Sequence, residues 1–128
     1  MYSKERREVK RRISSRNSDS VCRDVRVVAL RFRAMRVQVF QHVPFEGLGA
    51  IEPWLAARDA TIGWTRFFED PRIPASDSYD WLIVMGGPMS VNDEAALPWL
   101  RDEKRAVAAA IDAGRTVLGV CLGAQLIA

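Results

Sequence analysis

From Met35 onward, short apolar segments alternate with longer segments whose apolar residues recur every three or four positions. Four of the short segments have the alternating or continuous apolar character of β-strands. They are 35–40 (MRVQVF), 61–67 (TIGWTRF), 81–85 (WLIVM) and 116–120 (TVLGV). The unbroken apolar run at 81–85 is typical of a strand that is buried on both faces of a parallel sheet.

Helices are predicted after the first, third and fourth strands. The first is short, because its apolar residues keep helical spacing only as far as Arg58. The second starts at a capping residue, Asn92 or Asp93, and ends before Gly114, the residue type that most often follows a helix. Its expected buried face consists of Leu100, Ala106, Val107, Ala110 and Ile111. The third helix opens directly after the fourth strand, within 121–125.

This order of elements predicts an α/β fold with a doubly wound parallel sheet and right-handed crossovers. Ligands of such sheets bind at the carboxyl ends of the strands. Two turns that contain glycine stand at such ends, at 85–88 (MGGP) and 120–123 (VCLG). We therefore expect the functional residues in these two turns.

The charge of the chain is unevenly distributed. Residues 1–34 carry eleven Lys and Arg against four Asp and Glu, whereas residues 35–128 carry eight against twelve. The first twenty residues have too few apolar groups to bury a face, so we predict that 1–34 is a basic, disordered extension. Tyr2 is the only aromatic residue among the charges of the first twenty residues, so we do not expect a nucleic-acid partner. We interpret Met35 as the start of the folded domain, 35–128, and the upstream residues as readthrough rather than a binding arm.

The composition, with 48% hydrophobic and 27% charged residues, is that of a single globular domain. No apolar run reaches the roughly 20 residues of a membrane helix, so we exclude an integral membrane protein. The two cysteines, Cys22 and Cys121, lie far apart in a chain that has no apolar signal segment. We therefore expect no disulfide scaffold, no metal site, no cofactor and a cytoplasmic location.

The motif G-x-C-x-G at 119–123 has the form of a nucleophile elbow, with cysteine in place of serine. A sharp turn from strand to helix would present the thiol of Cys121 above the sheet, at a helix N-terminus that favours thiolate. The Leu122 N–H and a donor from Gly86 and Gly87 could form an oxyanion hole. The alternative is that Cys121 is a small buried hydrophobe and that the two glycines form only a tight turn. The strand before, the helix after and the second glycine turn favour a nucleophile.

These residues resemble a known family. The stretch 118–125 (LGVCLGAQ) resembles the nucleophile motif of class I glutamine amidotransferases, and 85–89 (MGGPM) resembles their oxyanion strand. Three further segments resemble the branch of this family that is similar to the glutaminase domain of GMP synthase. They are 38–45 (QVFQHVPF), 92–94 (NDE) and 98–100 (PWL). The resemblance covers 35–128, and it implies a flavodoxin-like fold. It also implies that a cysteine attacks the side-chain amide of glutamine, that ammonia leaves, and that water releases glutamate from the thioester.

The resemblance implies a role for each matching residue. Cys121 is the nucleophile, and the backbone N–H groups of Gly87 and Leu122 form the oxyanion hole. Gly86 and Gln125 shape the pocket for glutamine, which is the expected small-molecule substrate. A synthetase partner and a homo-oligomer both remain open, as does the acceptor of the ammonia.

The general base of the family has no match in this sequence. The family places its histidine and glutamate in a His-x-Glu arrangement in the C-terminal half, and this chain ends at Ala128. The chain has a single histidine, His42, which follows the first strand, so we interpret it as a loop residue. We expect the N-terminal part of an amidotransferase, truncated after the elbow by a frameshift, a premature stop or a gene-model error, and inactive in this form.

Two other functions are open. One is a catalytically dead fragment or interaction module, which would bind through the basic segment or through the apolar edge that the fourth strand presents. The other is a different hydrolase with a cysteine elbow, such as a γ-glutamyl peptidase or a DJ-1/PfpI-like protein. The turn Gly86-Gly87-Pro88 together with Gln125 suits an amide side chain better than the substrates of that group.

Overall fold

The computed structural model describes residues 33–128, and the prediction for residues 1–32 lies outside this range. The four predicted strands are confirmed, each with bounds shifted by no more than one residue. They are β1 (Arg36–Gln41), β2 (Thr61–Arg66), β3 (Trp81–Val84) and β4 (Thr116–Gly119). The helices are α1 (Ile51–Ala56), α2 (Trp99–Asp112) and α3 (Leu122–Ile127), with a 3₁₀ turn at Asp93–Ala95. None of the helices in the described part of the chain is long and apolar enough to cross a membrane.

The four strands form one parallel sheet in the order β2-β1-β3-β4. The chain moves outward from β1 to β2 and then returns past β1 to β3 and β4. The direction of winding thus changes between β1 and β3, which is the arrangement of a flavodoxin-like doubly wound sheet. The predicted fold class is confirmed, and the carboxyl ends of β1, β3 and β4 lie next to one another.

Both faces of the sheet are covered. Successive residues of a strand point to opposite faces, and β3 shows this clearly, because Leu82 and Val84 pack into one cluster while Ile83 and Met85 pack into the other. The first cluster contains Phe40, Phe67, Tyr79 and residues of α2, and the second contains Val37, Val39, Leu48 and Leu55. The continuous apolar run at 81–85 is explained by this burial on two sides.

The start of α2 differs from the prediction. The helix was expected from Asn92 or Asp93, but that segment forms only the 3₁₀ turn, and Pro98 occupies the N-cap position of a helix that begins at Trp99. Proline lacks an N–H and its ring clashes with the preceding turn of a helix, while the residue before it is disfavoured in helical conformation. The helix therefore starts at the proline instead of running through it.

The buried face of α2 differs from the prediction at three positions, one of which is Ala106, which is only half-buried. Ile111 was expected in the core but is 47% exposed. The buried residues of the helix are Leu100, Glu103, Val107 and Ala110, which form one narrow stripe at spacings of three and four. Ile111 falls on the flank of this stripe, one residue past Ala110. A carboxylate, Glu103, takes the place in the stripe where an apolar residue would be expected.

The outer strand β4 leaves apolar surface accessible. Leu118 is 40% exposed, and it lines a cavity of about 400 Å³ together with residues of α1 and β3. The other lining residues are Ala50, Ile51, Trp54, Leu55, Trp81 and Ile83. In the described part of the chain, β4 pairs with β3 alone, so it forms one edge of the sheet.

Candidate active site

Cys121 lies on a sharp turn that joins β4 to α3. Its φ angle is +51°, which is rare and strained for a residue other than glycine. The turn is closed by the N–H of Gly123, which donates to the carbonyl of Val120 at 2.9 Å, and Cys121 occupies the N-cap position of α3. The thiol is exposed. The interpretation of Cys121 as a small buried hydrophobe is therefore wrong, and the geometry is that of an elbow.

The two glycines of the motif are required by close backbone contacts. A Cβ on Gly119 would lie 2.5 Å from backbone atoms of Gly123 and Ala124. A Cβ on Gly123 would overlap the backbone carbonyl of Val84 in β3. Because glycine has no side chain at these two positions, the backbone of α3 can begin directly against β3 and β4. This contact holds the turn of Cys121 over the ends of the two strands.

The turn after β3 lies beside the elbow, as predicted. A Cβ on Gly86 would be 3.4 Å from the Cβ of Cys121, and one on Gly87 would be 3.3 Å from Cδ2 of Leu122. The structure thus brings together Gly86, Gly87, Cys121 and Leu122. The carboxylate of Glu46, which sequence reasoning did not single out, touches the open side of Gly86.

Gln125 lies one helical turn after Cys121, and its N–H donates to the carbonyl of Cys121 at 3.2 Å. Its side chain is exposed on α3. Gln125 therefore shares the helix of the nucleophile candidate, without being buried among the glycines. Among residues 33–128, no three His, Cys, Asp or Glu side chains are grouped to hold a metal ion.

His42 is part of the site in a way that the sequence did not indicate. It follows β1, as expected for a loop residue, but its side chain is fully buried. The Nδ1 atom lies 3.0 Å from the carbonyl oxygen of Gly86, and Nε2 lies 2.7 Å from Oε1 of Glu103, which is also fully buried. The signal that could have identified Glu103 is its spacing, three residues after Leu100 and four before Val107, on the apolar stripe of α2.

The protonation of His42 follows from its partners. A carbonyl oxygen only accepts hydrogen bonds, so Nδ1 carries a proton and donates it to Gly86. Burial alone would lower the pKa of His42, but the hydrogen bond and the charge of Glu103, together with the carbonyls of Gly86 and Met85, outweigh it and raise the pKa. The raised pKa means that His42 holds its second proton more tightly than a free imidazole does, and in the protonated form the Nε2–H donates to Glu103. The second oxygen of Glu103 is buried without a hydrogen-bond partner among the described residues.

Aromatic rings complete the surroundings of His42. The imidazole is nearly parallel to the ring of Phe67, with centroids 5.5 Å apart, and 5.8 Å from the ring of Trp99. The orientation of the imidazole is therefore fixed by the hydrogen bonds at its two nitrogens and by the aromatic rings beside its face.

The pattern of the family described as "Glutamine amidotransferase class-I" matches residues 54–128 of this chain. The chain is 38% identical over 97 residues to the glutamine amidotransferase-like protein YfeJ of Salmonella typhimurium, covering 73% of this chain and 41% of that protein. It thus spans about two fifths of the length of that curated relative.

Solved structures show the same fold. The crystal structure of SMU.1228c superposes with a TM-score of 0.67 at 33% identity, over 73% of this chain and 42% of that one. A glutamine amido transferase from Methylobacillus flagellatus superposes with a TM-score of 0.69 at 32% identity, over 75% and 38%. A glutamine amidotransferase from Thermotoga maritima, at 23% identity, has a TM-score of 0.69 over 74% and 42%, and this likeness concerns the fold alone.

The close contact at Gly123 can be tested with an alanine scan of two glycines. We expect Gly123→Ala to lower the free energy of unfolding by about 1–3 kcal/mol, because the added methyl group overlaps the carbonyl of Val84. Gly47→Ala is the matched control, since its Cβ would meet open space, and it should change the stability by less than about 0.5 kcal/mol. Urea unfolding measures both, and equal stabilities would contradict the contact.

The charge of His42 can be measured directly, because the chain has one histidine and thus one imidazole Cε1–H signal in the NMR spectrum. We expect this signal to titrate above pH 6.5 in the folded chain and near the ordinary value of about 6.5 in urea. Since folding raises the pKa, protonated His42 contributes to stability below about pH 6.5, and the contribution is lost as the pH rises through the folded-state value. A midpoint at or below 6.5 in the folded chain would refute the ion pair.

Proposed function

Since the chain belongs to the class I glutamine amidotransferases, we propose that it carries the nucleophile part of a site that hydrolyses glutamine. The observation that carries this proposal is the conformation of Cys121, an exposed thiol at a φ of +51° on a turn from strand to helix. Strain of this kind is retained where it places a reacting group. The glycine turn after β3 lies against the same thiol.

In the proposed reaction, the Cys121 thiolate attacks the amide carbon of glutamine. The charge that develops on the amide oxygen is stabilised by the N–H groups of Gly87 and Leu122. These donors are already oriented, so they need no reorganisation during the reaction. The C–N bond then breaks, the nitrogen takes up a proton and leaves as ammonia, and a γ-glutamyl thioester remains. Water attacks this thioester and releases glutamate and the thiol. Gly86 borders the pocket from the turn after β3, together with the carboxylate of Glu46 that lies against it, and Gln125 borders the pocket from α3.

His42 is not available as the base or the acid of the reaction. The single histidine of the chain, His42, is buried, and both of its ring nitrogens are engaged with Gly86 and Glu103. A general base must reach the proton that it removes, and His42 cannot do so because both of its nitrogens are already hydrogen-bonded in the core. We therefore propose that this chain binds glutamine analogues and reacts with them, but does not turn over glutamine unless a further segment supplies a histidine.

Covalent labelling tests the proposal. A chloroketone analogue of glutamine should modify Cys121 with a stoichiometry near one, because the pocket holds the reactive carbon next to the thiol. Intact mass and peptide mapping identify the modified residue, and glutamine should slow the reaction by competition. The variant Cys121→Ser retains Cys22, so it is the control for labelling elsewhere. Modification of Cys121 no faster than Cys22 would count against a formed pocket.

The second candidate is a catalytically inactive interaction module, and the apolar cavity beside Leu118 favours it. A sheet edge with exposed apolar residues can pair with a second copy of the chain. In that case the full chain self-associates in sedimentation velocity, and Leu118→Glu returns it to a monomer. The control is Ile111→Glu, which places the same charge at an exposed apolar position on α2. A monodisperse monomer of the unmodified chain rejects this function.

A further inference from the structure

The hydrogen bond from His42 to Gly86 acts on the same peptide unit that contains the Gly87 N–H. The carbonyl of Gly86 and the N–H of Gly87 belong to one peptide plane, and in a trans peptide these two groups point in opposite directions. The Nδ1–H of His42 donates to this carbonyl at 3.0 Å. The direction of the Gly87 N–H is therefore set by a side chain on the opposite side of the peptide.

A peptide between two glycines needs such an anchor. Glycine occupies positive and negative φ angles with similar ease, so this peptide has little intrinsic barrier against a flip. A flip would turn the Gly87 N–H away and present the Gly86 carbonyl, an acceptor, in its place. An acceptor at that position would repel the negative oxygen of a tetrahedral intermediate instead of stabilising it.

The position of the imidazole is itself determined by α2. Oε1 of Glu103 accepts the Nε2–H at 2.7 Å, and the ring lies against Phe67 and Trp99. Both side chains of the pair are fully buried. A buried hydrogen bond polarises the peptide to which it is made. The Gly87 N–H thus becomes a better donor as well as a fixed one.

We propose that His42, held by Glu103, is a positioning residue that locks the Gly86–Gly87 peptide with its N–H available to the oxyanion. This inference rests on the proposed function, in which Gly87 supplies one of the two donors. It assigns a role to two buried residues that do not touch the substrate. It also gives a role to a fully buried pair of polar side chains in the core.

The test compares two alkylating agents on folded variants. The thiolate first adds to the carbonyl of the chloroketone analogue of glutamine, which places negative charge on the ketone oxygen. The sulfur then bonds to the methylene carbon as chloride leaves, and the bond between sulfur and the carbonyl carbon breaks, which restores the ketone. Iodoacetamide alkylates the same thiol by displacing iodide, without an oxyanion. The double variant His42→Phe, Glu103→Leu retains an aromatic ring and an apolar side chain of similar size but removes the hydrogen bond of the pair and the Nδ1 donor. Such apolar replacements of buried pairs commonly keep the fold.

We expect the rate at which the chloroketone labels Cys121 to be lower by about tenfold or more in the double variant. In other enzymes, loss of a single oxyanion donor lowers kcat by about a hundredfold. Its rate with iodoacetamide should stay within about twofold of the unmodified chain. His42→Asn, Glu103→Leu restores an N–H donor close to the position of Nδ1, and it should recover most of the chloroketone rate. Asp102→Asn, the exposed neighbour of Glu103 on α2, is the matched control.

A second measurement separates this inference from the proposed function. The carbonyl ¹³C signal of Gly86 and the amide signal of Gly87 report the hydrogen bond without any reaction. Both should shift in His42→Phe, Glu103→Leu and return toward their original positions in the asparagine variant. Unchanged signals in the folded double variant would overturn the inference, whatever the labelling shows. The signals could also shift while the chloroketone labels Cys121 of the unmodified chain no faster than iodoacetamide does. In that case His42 does fix the peptide, but the proposed function fails, and with it the role of this peptide in stabilising an oxyanion.

Discussion

The backbone contact between Gly123 and Val84 is the constraint on which the site depends. It brings α3 against β3 so closely that no Cβ fits between them. At this distance the chain can pass from β4 into α3 only through a sharp turn, and Cys121 takes the left-handed conformation that this turn imposes. The same contact places Leu122 beside the turn of Gly86 and Gly87. The strain at one cysteine is therefore a consequence of helix packing, and it is stabilised by the burial of α3 on the sheet.

A second constraint acts from the other side of the glycine turn. The pair of His42 and Glu103 joins the end of β1 to the middle of α2, across 61 positions of sequence. Burying two charges costs several kcal/mol for each ion, and their mutual attraction commonly does no more than offset this cost. Such a pair contributes little to the net stability of the fold, although losing one partner alone would leave an unpaired charge in the core. Its main effect is on geometry, because it determines where one carbonyl points.

The strands and the elbow could be predicted because their signals are local. An apolar run such as 81–85 and a glycine on each side of Cys121 are visible within a few residues of sequence. The start of α2 could have been predicted too, had the steric demand of Pro98 been weighed above the capping preference of Asn92. Ile111 was wrongly predicted to be buried, because the buried stripe of α2 is narrower than the face that its five apolar residues span. The ion pair could not be found in this way, since it depends on which strand end comes to lie above which turn of a helix.

The role of His42 shows how a site can use a histidine for its geometry and not for proton transfer to the substrate. An imidazole that serves as a base must exchange its proton with a reacting atom, and therefore needs one nitrogen free. Here Nδ1 faces a carbonyl and Nε2 faces a carboxylate, so each possible proton position is already occupied by a structural bond. The residue that resembles a base in the sequence is thus excluded from proton transfer by its own hydrogen bonds. In the proposed reaction, the described residues supply the nucleophile and the stabilisation of the oxyanion, while proton transfer needs a side chain other than His42. This division has a physical reason, because backbone donors need a rigid sheet end to aim them, whereas a base needs a side chain that reaches over the substrate.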